Sequence, residues 1–259
     1  MAIFEDAPAL CGHRGSGRGV VGGHAENTLG SCRAAIAAGL RWLEIDCRLT
    51  ADGVLVARHD PRVEDGRFVA ELTAAEAQRL GLMRLDEMFE ALPIEIGIDL
   101  EVKTSLEDAL RPADQTTGAA ASDLAARARA AGRPVLLTSF DASVLPISRA
   151  RHPELPVGLL TWTRFPLRKA IPAAVHLGAQ VVAPQFASFP FPESPAAAME
   201  RELADVVEVA HRAGLEVVAW CPKPPEEALL VAAGVDCVIV DDVLSRSGAA
   251  PRSASPTPR

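Results

Sequence analysis

The stretches Ala210-His-Arg-Ala-Gly-Leu-Glu-Val-Val-Ala-Trp220 and Ala232-Ala-Gly-Val-Asp-Cys-Val-Ile-Val240 decide the fold. Each ends an Ala-rich helical segment on a glycine and then enters a continuous β-branched run. Glycine is the residue that most readily takes the left-handed conformation closing a helix. An apolar run without polar alternation marks a strand covered on both faces, as in a parallel sheet. The same helix–glycine–strand order recurs at Gly39, Gly132 and Gly178. Working outward from it, strands are expected at residues 9–13, 42–47, 96–102, 134–138, 156–160, 180–184, 216–220 and 236–240. Helices are expected at 27–38, 122–131, 142–151, 168–177, 197–213 and 225–233. Eight strands, with no nucleotide-binding glycine fingerprint, predict a (β/α)8 TIM barrel rather than a doubly wound sheet.

Two regions break the rhythm. Residues 49–92 are too long for one crossover, and hold a hairpin pattern over 50–60 and the capping box Thr73-Ala-Ala-Glu76. They predict a small cap, about 49–84, inserted between the second strand and its helix. Residues 246–259 are rich in Ser, Pro and Arg and read as a disordered tail after a single 1–245 domain.

Composition narrows the function. The chain has 259 residues, 49% of them hydrophobic and 23% charged, ordinary values for a globular protein. Acidic residues outnumber basic ones 34 to 26, a net charge of -8 that disfavours nucleic acid and anionic membrane as partners. No stretch approaches the ~18 apolar residues of a membrane span. The N-terminus lacks signal-peptide character. The five cysteines form no CxxC pair, so a cytoplasmic location is expected.

Reactive groups of such a barrel sit at the C-terminal ends of its strands. The first strand ends in Gly12-His13-Arg14-Gly15. The second carries Glu44 and Asp46 on one face, the following hairpin ends in His59-Asp60, and the third carries Asp99, Glu101 and Lys103. Glu44, Asp46 and Glu101 are hard oxygen donors, suited to Mg2+ or Ca2+. His13 and His59 exchange protons near neutrality, and Arg14 and Lys103 suit a phosphate. Together these are the parts for splitting a phosphoester.

Plainer roles compete. A strand-end carboxylate can simply cap a helix, but two ionised carboxylates on one apolar strand repel unless a cation compensates them. His24 reads as a loop residue, and His152, His176 and His211 as helix-surface residues. Asp241-Asp242 reads as the cap of the last helix, and Cys47 as facing the helices. Trp220 is either core or a pocket wall.

From about residue 10 to 243 the sequence resembles the glycerophosphodiester phosphodiesterases. The motifs carrying this are His13-Arg14-Gly15, Glu26-Asn27-Thr28, Glu44-x-Asp46, Thr50-x-Asp52-Gly53, His59-Asp60, Glu101-x-Lys103, Ser139-Phe140-Asp141 and Gly234-Val-Asp236, in that order. The resemblance implies a capped TIM barrel that hydrolyses small-molecule glycerophosphodiesters to sn-glycerol 3-phosphate and an alcohol. It makes His13 and His59 the acid/base pair, Glu44, Asp46 and Glu101 the ligands of Mg2+ or Ca2+, and Arg14 and Lys103 the phosphate contacts. Glu26-Asn27 would organise the first loop, with Asn27 as N-cap. The chain departs from the family pattern in its long Gly-rich segment 16–25, in Trp220-Cys-Pro-Lys223, and in having no tyrosine. Two alternatives accompany this reading: a lysophospholipase D or sphingomyelinase-D-like activity on the same barrel, and a silent barrel that binds phosphorylated metabolites.

Overall fold

A computed structural model describes residues 2–192, 194 and 201–246. Eight parallel strands follow one another around a closed barrel: β1 (Ala9–Gly12), β2 (Trp42–Leu49), β3 (Gly97–Val102), β4 (Val135–Ser139), β5 (Val157–Thr161), β6 (Val181–Pro184), β7 (Glu216–Trp220) and β8 (Cys237–Val240). Pairing of β1 with both β8 and β2 closes the ring. The helices are α1 (Leu29–Ala37), α2 (Ala74–Arg79), α3 (Leu85–Ala91), α4 (Thr117–Ala130), α5 (Val144–Arg151), α6 (Leu167–His176), α7 (Leu203–Arg212) and α8 (Pro224–Ala232). The TIM barrel expected from the glycine-punctuated rhythm is therefore present, with every expected strand displaced by no more than two residues at either end.

Strand parity divides the core. Leu43, Ile45 and Cys47 of β2 point outward into the layer between sheet and helices, as do Leu137 of β4 and Val217 of β7. Trp42, Leu136, Val181, Val218 and Ile239 fill the barrel interior. Period-2 alternation then places Glu44 and Asp46 inside the barrel above Trp42. The register sets Glu44 beside Asp99 and Asp46 beside Glu101 on β3.

The segment between β2 and α3 folds back on the barrel. Leu55–Ala57 pairs antiparallel with the end of β2. Thr73 caps α2 through the expected box with Glu76. Val56, Val63, Val69, Leu72, Ala77 and Leu82 give this segment a small core of its own. The Gly-rich first loop contains a ribbon, Val20–Val21 against His24–Ala25, too short to leave a periodic signal. Of the expected tail, only Arg246 falls among the described residues, closing a 3-10 turn; the rest lies outside them. The same holds for residues 197–200 of the helix expected at 197–213, which is observed over Leu203–Arg212. Among the described residues no helix is long and apolar enough to cross a membrane.

Candidate active site

The turn after β1 sets the first side chains. Gly12 could carry no Cβ, which would lie 2.0 Å from the Gly15 carbonyl oxygen. Arg14 occupies the left-handed region at φ 53°, a strained placement for a long side chain. In that conformation its backbone N–H donates to Glu44 Oε2 at 2.8 Å. The guanidinium lies between Glu26 Oε1 (2.8 Å) and Asp46 Oδ2 (3.3 Å). Asn27, also left-handed at φ 55°, donates through Nδ2 to Asp46 Oδ2 at 2.7 Å and accepts from the Asp46 N–H at 3.1 Å. The expectation that Asn27 caps the first helix is thus corrected: Thr28 caps α1 through the Ser31 N–H. Asn27 serves Asp46 instead, because a buried carboxylate without a donor is the more expensive vacancy.

Glu44, Asp46 and Glu101 converge, with one oxygen from each within 4.8 Å of the others, and all three are buried. Lys103 Nζ lies 3.1 Å from Asp46 Oδ1 and also pairs with Glu101 Oε1. Burial, together with the charge of Asp46, pushes the Glu101 carboxyl up to about 7. Glu44 is pushed well up by burial and by its two acidic neighbours. Burial works the same way on Asp46, but Lys103 and Arg14 outweigh it and hold that group ionised. Glu44 Oε1 is buried with no hydrogen-bond partner. Three hard oxygen donors, two of which (Glu44 Oε1 and Asp46 Oδ1) are buried without a hydrogen bond, fit a divalent cation such as Mg2+ or Ca2+, whose charge would favour the ionised forms of Glu44 and Glu101. Asp99 stands deeper in the barrel, bonded to Thr138 Oγ1 at 2.6 Å, and is outside this trio.

The two histidines flank the trio in the same way. His13 Nε2 is 3.9 Å from Glu44 Oε2, while its Nδ1 lies 2.7 Å from Asp241 Oδ1. His59 Nδ1 lies 2.7 Å from Asp60 Oδ1, and its backbone carbonyl accepts from Arg48 Nε at 2.8 Å. Burial lowers the pKa of His59 despite the nearby charge of Asp46. The reading of Asp241-Asp242 as a helix cap is corrected for Asp241, whose carboxylate takes the His13 ring and the Arg18 N–H. Its position at the C-terminal end of β8 was the available signal.

Trp220, at the C-terminal end of β7, is half-buried against the cluster that fills the barrel interior. It meets the Phe140 ring edge-on at 5.7 Å, and Phe140 stacks on the largely exposed Trp162 at 4.1 Å. Cys47 faces the helices as expected, and His24 lies in the first-loop ribbon. His152 and His211 are tied to Asp123 and Asp236 away from the site. A broad cavity at the opposite mouth, lined by Pro8, Arg41, Trp42 and Arg133, contains none of the predicted residues.

The model of the "Glycerophosphoryl diester phosphodiesterase family" matches residues 13–245. A search of curated proteins gives no match. Among solved structures the chain is similar to a candidate glycerophosphoryl diester phosphodiesterase of Silicibacter pomeroyi DSS-3, at 25% identity over 92% of this chain and 94% of that chain, TM-score 0.70. It shares 23% identity with an Oleispira antarctica phosphodiesterase in complex with the product sn-glycerol-3-phosphate, over 96% and 98% of the chains, TM-score 0.73. A glycerophosphodiester phosphodiesterase of Thermotoga maritima matches at 20% identity, over 90% and 94%, TM-score 0.67. The last two likenesses are of fold.

Proposed function

The chain belongs to the glycerophosphoryl diester phosphodiesterase family, and from that membership we propose that it hydrolyses glycerophosphodiesters to sn-glycerol 3-phosphate and an alcohol. One observation carries the reading: two histidines, each with Nδ1 on a carboxylate, flank a buried trio of further carboxylates.

A carboxylate on Nδ1 fixes the tautomer that keeps the proton there and leaves Nε2 as the working nitrogen. One histidine accepts the proton of the attacking hydroxyl, and the other protonates the departing alkoxide. Such proton transfers contribute typically ~10²–10⁴-fold each. Arg14, clamped by Glu26 and Asp46, presents a pre-oriented cation to a phosphoryl oxygen, so little ordering remains to be done when substrate arrives. Lys103 is the second cation on the same side. Mg2+ or Ca2+ held by Glu44, Asp46 and Glu101 supplies Lewis-acid polarisation of the phosphoryl group. Phe140 stands beside Lys103, whose Nζ lies 5.5 Å from the centre of its ring.

The test is release of sn-glycerol 3-phosphate from glycerophosphocholine and glycerophosphoethanolamine with Mg2+, with Ca2+ and with EDTA. Release that needs metal and disappears in His13→Ala and Glu44→Ala is expected. No release with either metal, from folded protein, overturns the reading.

A lysolipid is the second substrate class. Leu106 and Leu110 after β3, and Trp162 and Phe165 after β5, are exposed apolar side chains on the loops at the active-site end. Lysolipid turnover rivalling that of glycerophosphocholine would favour it. A silent barrel is disfavoured, since His13, Glu44, Asp46, His59 and Glu101 are all retained.

A further inference from the structure

Four of the five cysteines, Cys11, Cys32, Cys47 and Cys237, are buried in the two core layers. Cys221 is not. It follows β7 in the left-handed region at φ 54°, a strained conformation for a residue with a Cβ. There its Sγ lies 3.3 Å from His13 Nδ1, which in turn lies 2.7 Å from Asp241 Oδ1. One donor atom each from His13, Cys221 and Asp241 falls within 4.8 Å of the other two. Solvent reaches the group, since the Asp241 side chain is 41% exposed.

The donor set is sulfur, imidazole nitrogen and carboxylate oxygen, unlike the all-oxygen trio of Glu44, Asp46 and Glu101. Thiolate and imidazole select zinc-class cations over Mg2+ or Ca2+. At tetrahedral bond lengths the nitrogen and sulfur stand about 3.5 Å apart and the nitrogen and oxygen about 3.4 Å. The observed S–N spacing already agrees. The Asp241 oxygen has to withdraw by about 0.7 Å, a small rotation of a half-exposed side chain.

We propose that His13, Cys221 and Asp241 form a second metal site, for a thiophilic divalent cation such as Zn2+, and that its occupation arrests the active site. Binding forms three metal–ligand bonds, with water as the fourth ligand. The Cys221 thiol proton leaves to solvent; the Nδ1 proton of a neutral His13 passes to Nε2, and that of a protonated His13, whose Nε2 already carries one, leaves to solvent as well. Nothing is oxidised. With the metal on Nδ1, Nε2 keeps its proton and no longer cycles between acceptor and donor. His13 is then lost to turnover whether it starts as acid or as base. The arrest rests on the proposed role of His13; the binding does not.

The experiment uses the full chain and Co2+ as a zinc stand-in, because a thiolate ligand gives Co2+ a charge-transfer absorption that oxygen ligands do not. One equivalent of that absorption is expected in the unmodified protein and in Glu44→Gln, displaced by Zn2+ and absent in Cys221→Ser. Cys221→Ala replaces the serine variant if the latter does not fold. In turnover assays at saturating Mg2+, Zn2+ should inhibit at least tenfold less potently in Cys221→Ser, each protein being compared with its own zinc-free rate. Absence of the thiolate absorption, its survival in Cys221→Ser, or equal zinc sensitivity of both proteins overturns the proposal. If glycerophosphodiester turnover itself fails, the absorption still decides whether the site binds metal.

Discussion

Titrating Mg2+ into the protein at pH 8 and again at pH 5.5 probes the carboxylate trio directly. Glu101, with its pKa near 7 in the metal-free fold, is ionised at pH 8 and almost wholly protonated at pH 5.5. A ligand oxygen must lose its proton before it binds a cation, so this group alone weakens affinity about 30-fold at the lower pH, roughly 2 kcal/mol. Glu44, also pushed up, widens the gap. The metal-free stability moves oppositely. A carboxyl raised by folding holds its proton in the folded chain after the unfolded chain has released it. Its contribution is therefore full below about pH 4.3 and falls as pH rises toward 7. Asp46, held low, loses its contribution only in acid below this window. At pH 8, Mg2+ at 100 times its Kd should add about 2.7 kcal/mol. In a domain of this size that is a rise in Tm of about 5–11 °C. The same concentration at pH 5.5 is only about three times Kd, which is under ~1 kcal/mol and a shift of about 2–3 °C. Thermal melts monitored by circular dichroism read both. Equal shifts at the two pH values, or an undiminished shift in Glu44→Gln, would refute the reasoning.

Asp241→Asn should lower kcat about 10–100-fold while leaving KM nearly unchanged, because it releases the His13 ring without touching substrate; steady-state kinetics across pH separate this from a folding defect. Asn27→Ala removes both bonds to Asp46 and should destabilise the protein by about 1–3 kcal/mol in urea melts. Arg133 donates to the carbonyls of Phe89, Leu92, Pro93 and Ile96 at the end of α3, so Arg133→Ala should lose more than about 3 kcal/mol while the rate of the remaining folded protein is unchanged.

What could be read in advance follows from how far apart the partners lie. Glu44, Asp46 and Glu101 were legible because the first two share one face of β2 and the third lies on the adjacent β3, so that period-2 parity plus adjacent pairing carries all three into the barrel. Glycines placed the strands because a helix end needs the left-handed residue whatever surrounds it. Asn27 was misread because its local preference for a helix cap yielded to Asp46, 19 residues away. The partners of His13 come from much farther, Asp241 at 228 residues and Cys221 at 208, and no local pattern encodes such contacts. They exist only because β1 pairs with β8 and Cys221 donates its N–H to Ile239 across the next seam. His13 therefore has its ligand geometry set by the closure of the barrel, whereas His59 takes its carboxylate from the adjacent residue, Asp60. The two histidines should respond differently to strain. A substitution that loosens the β1–β8 seam should disturb His13 first and leave the His59–Asp60 pair intact, so the His13–Asp241 geometry is the part of the site most tightly linked to the integrity of the fold.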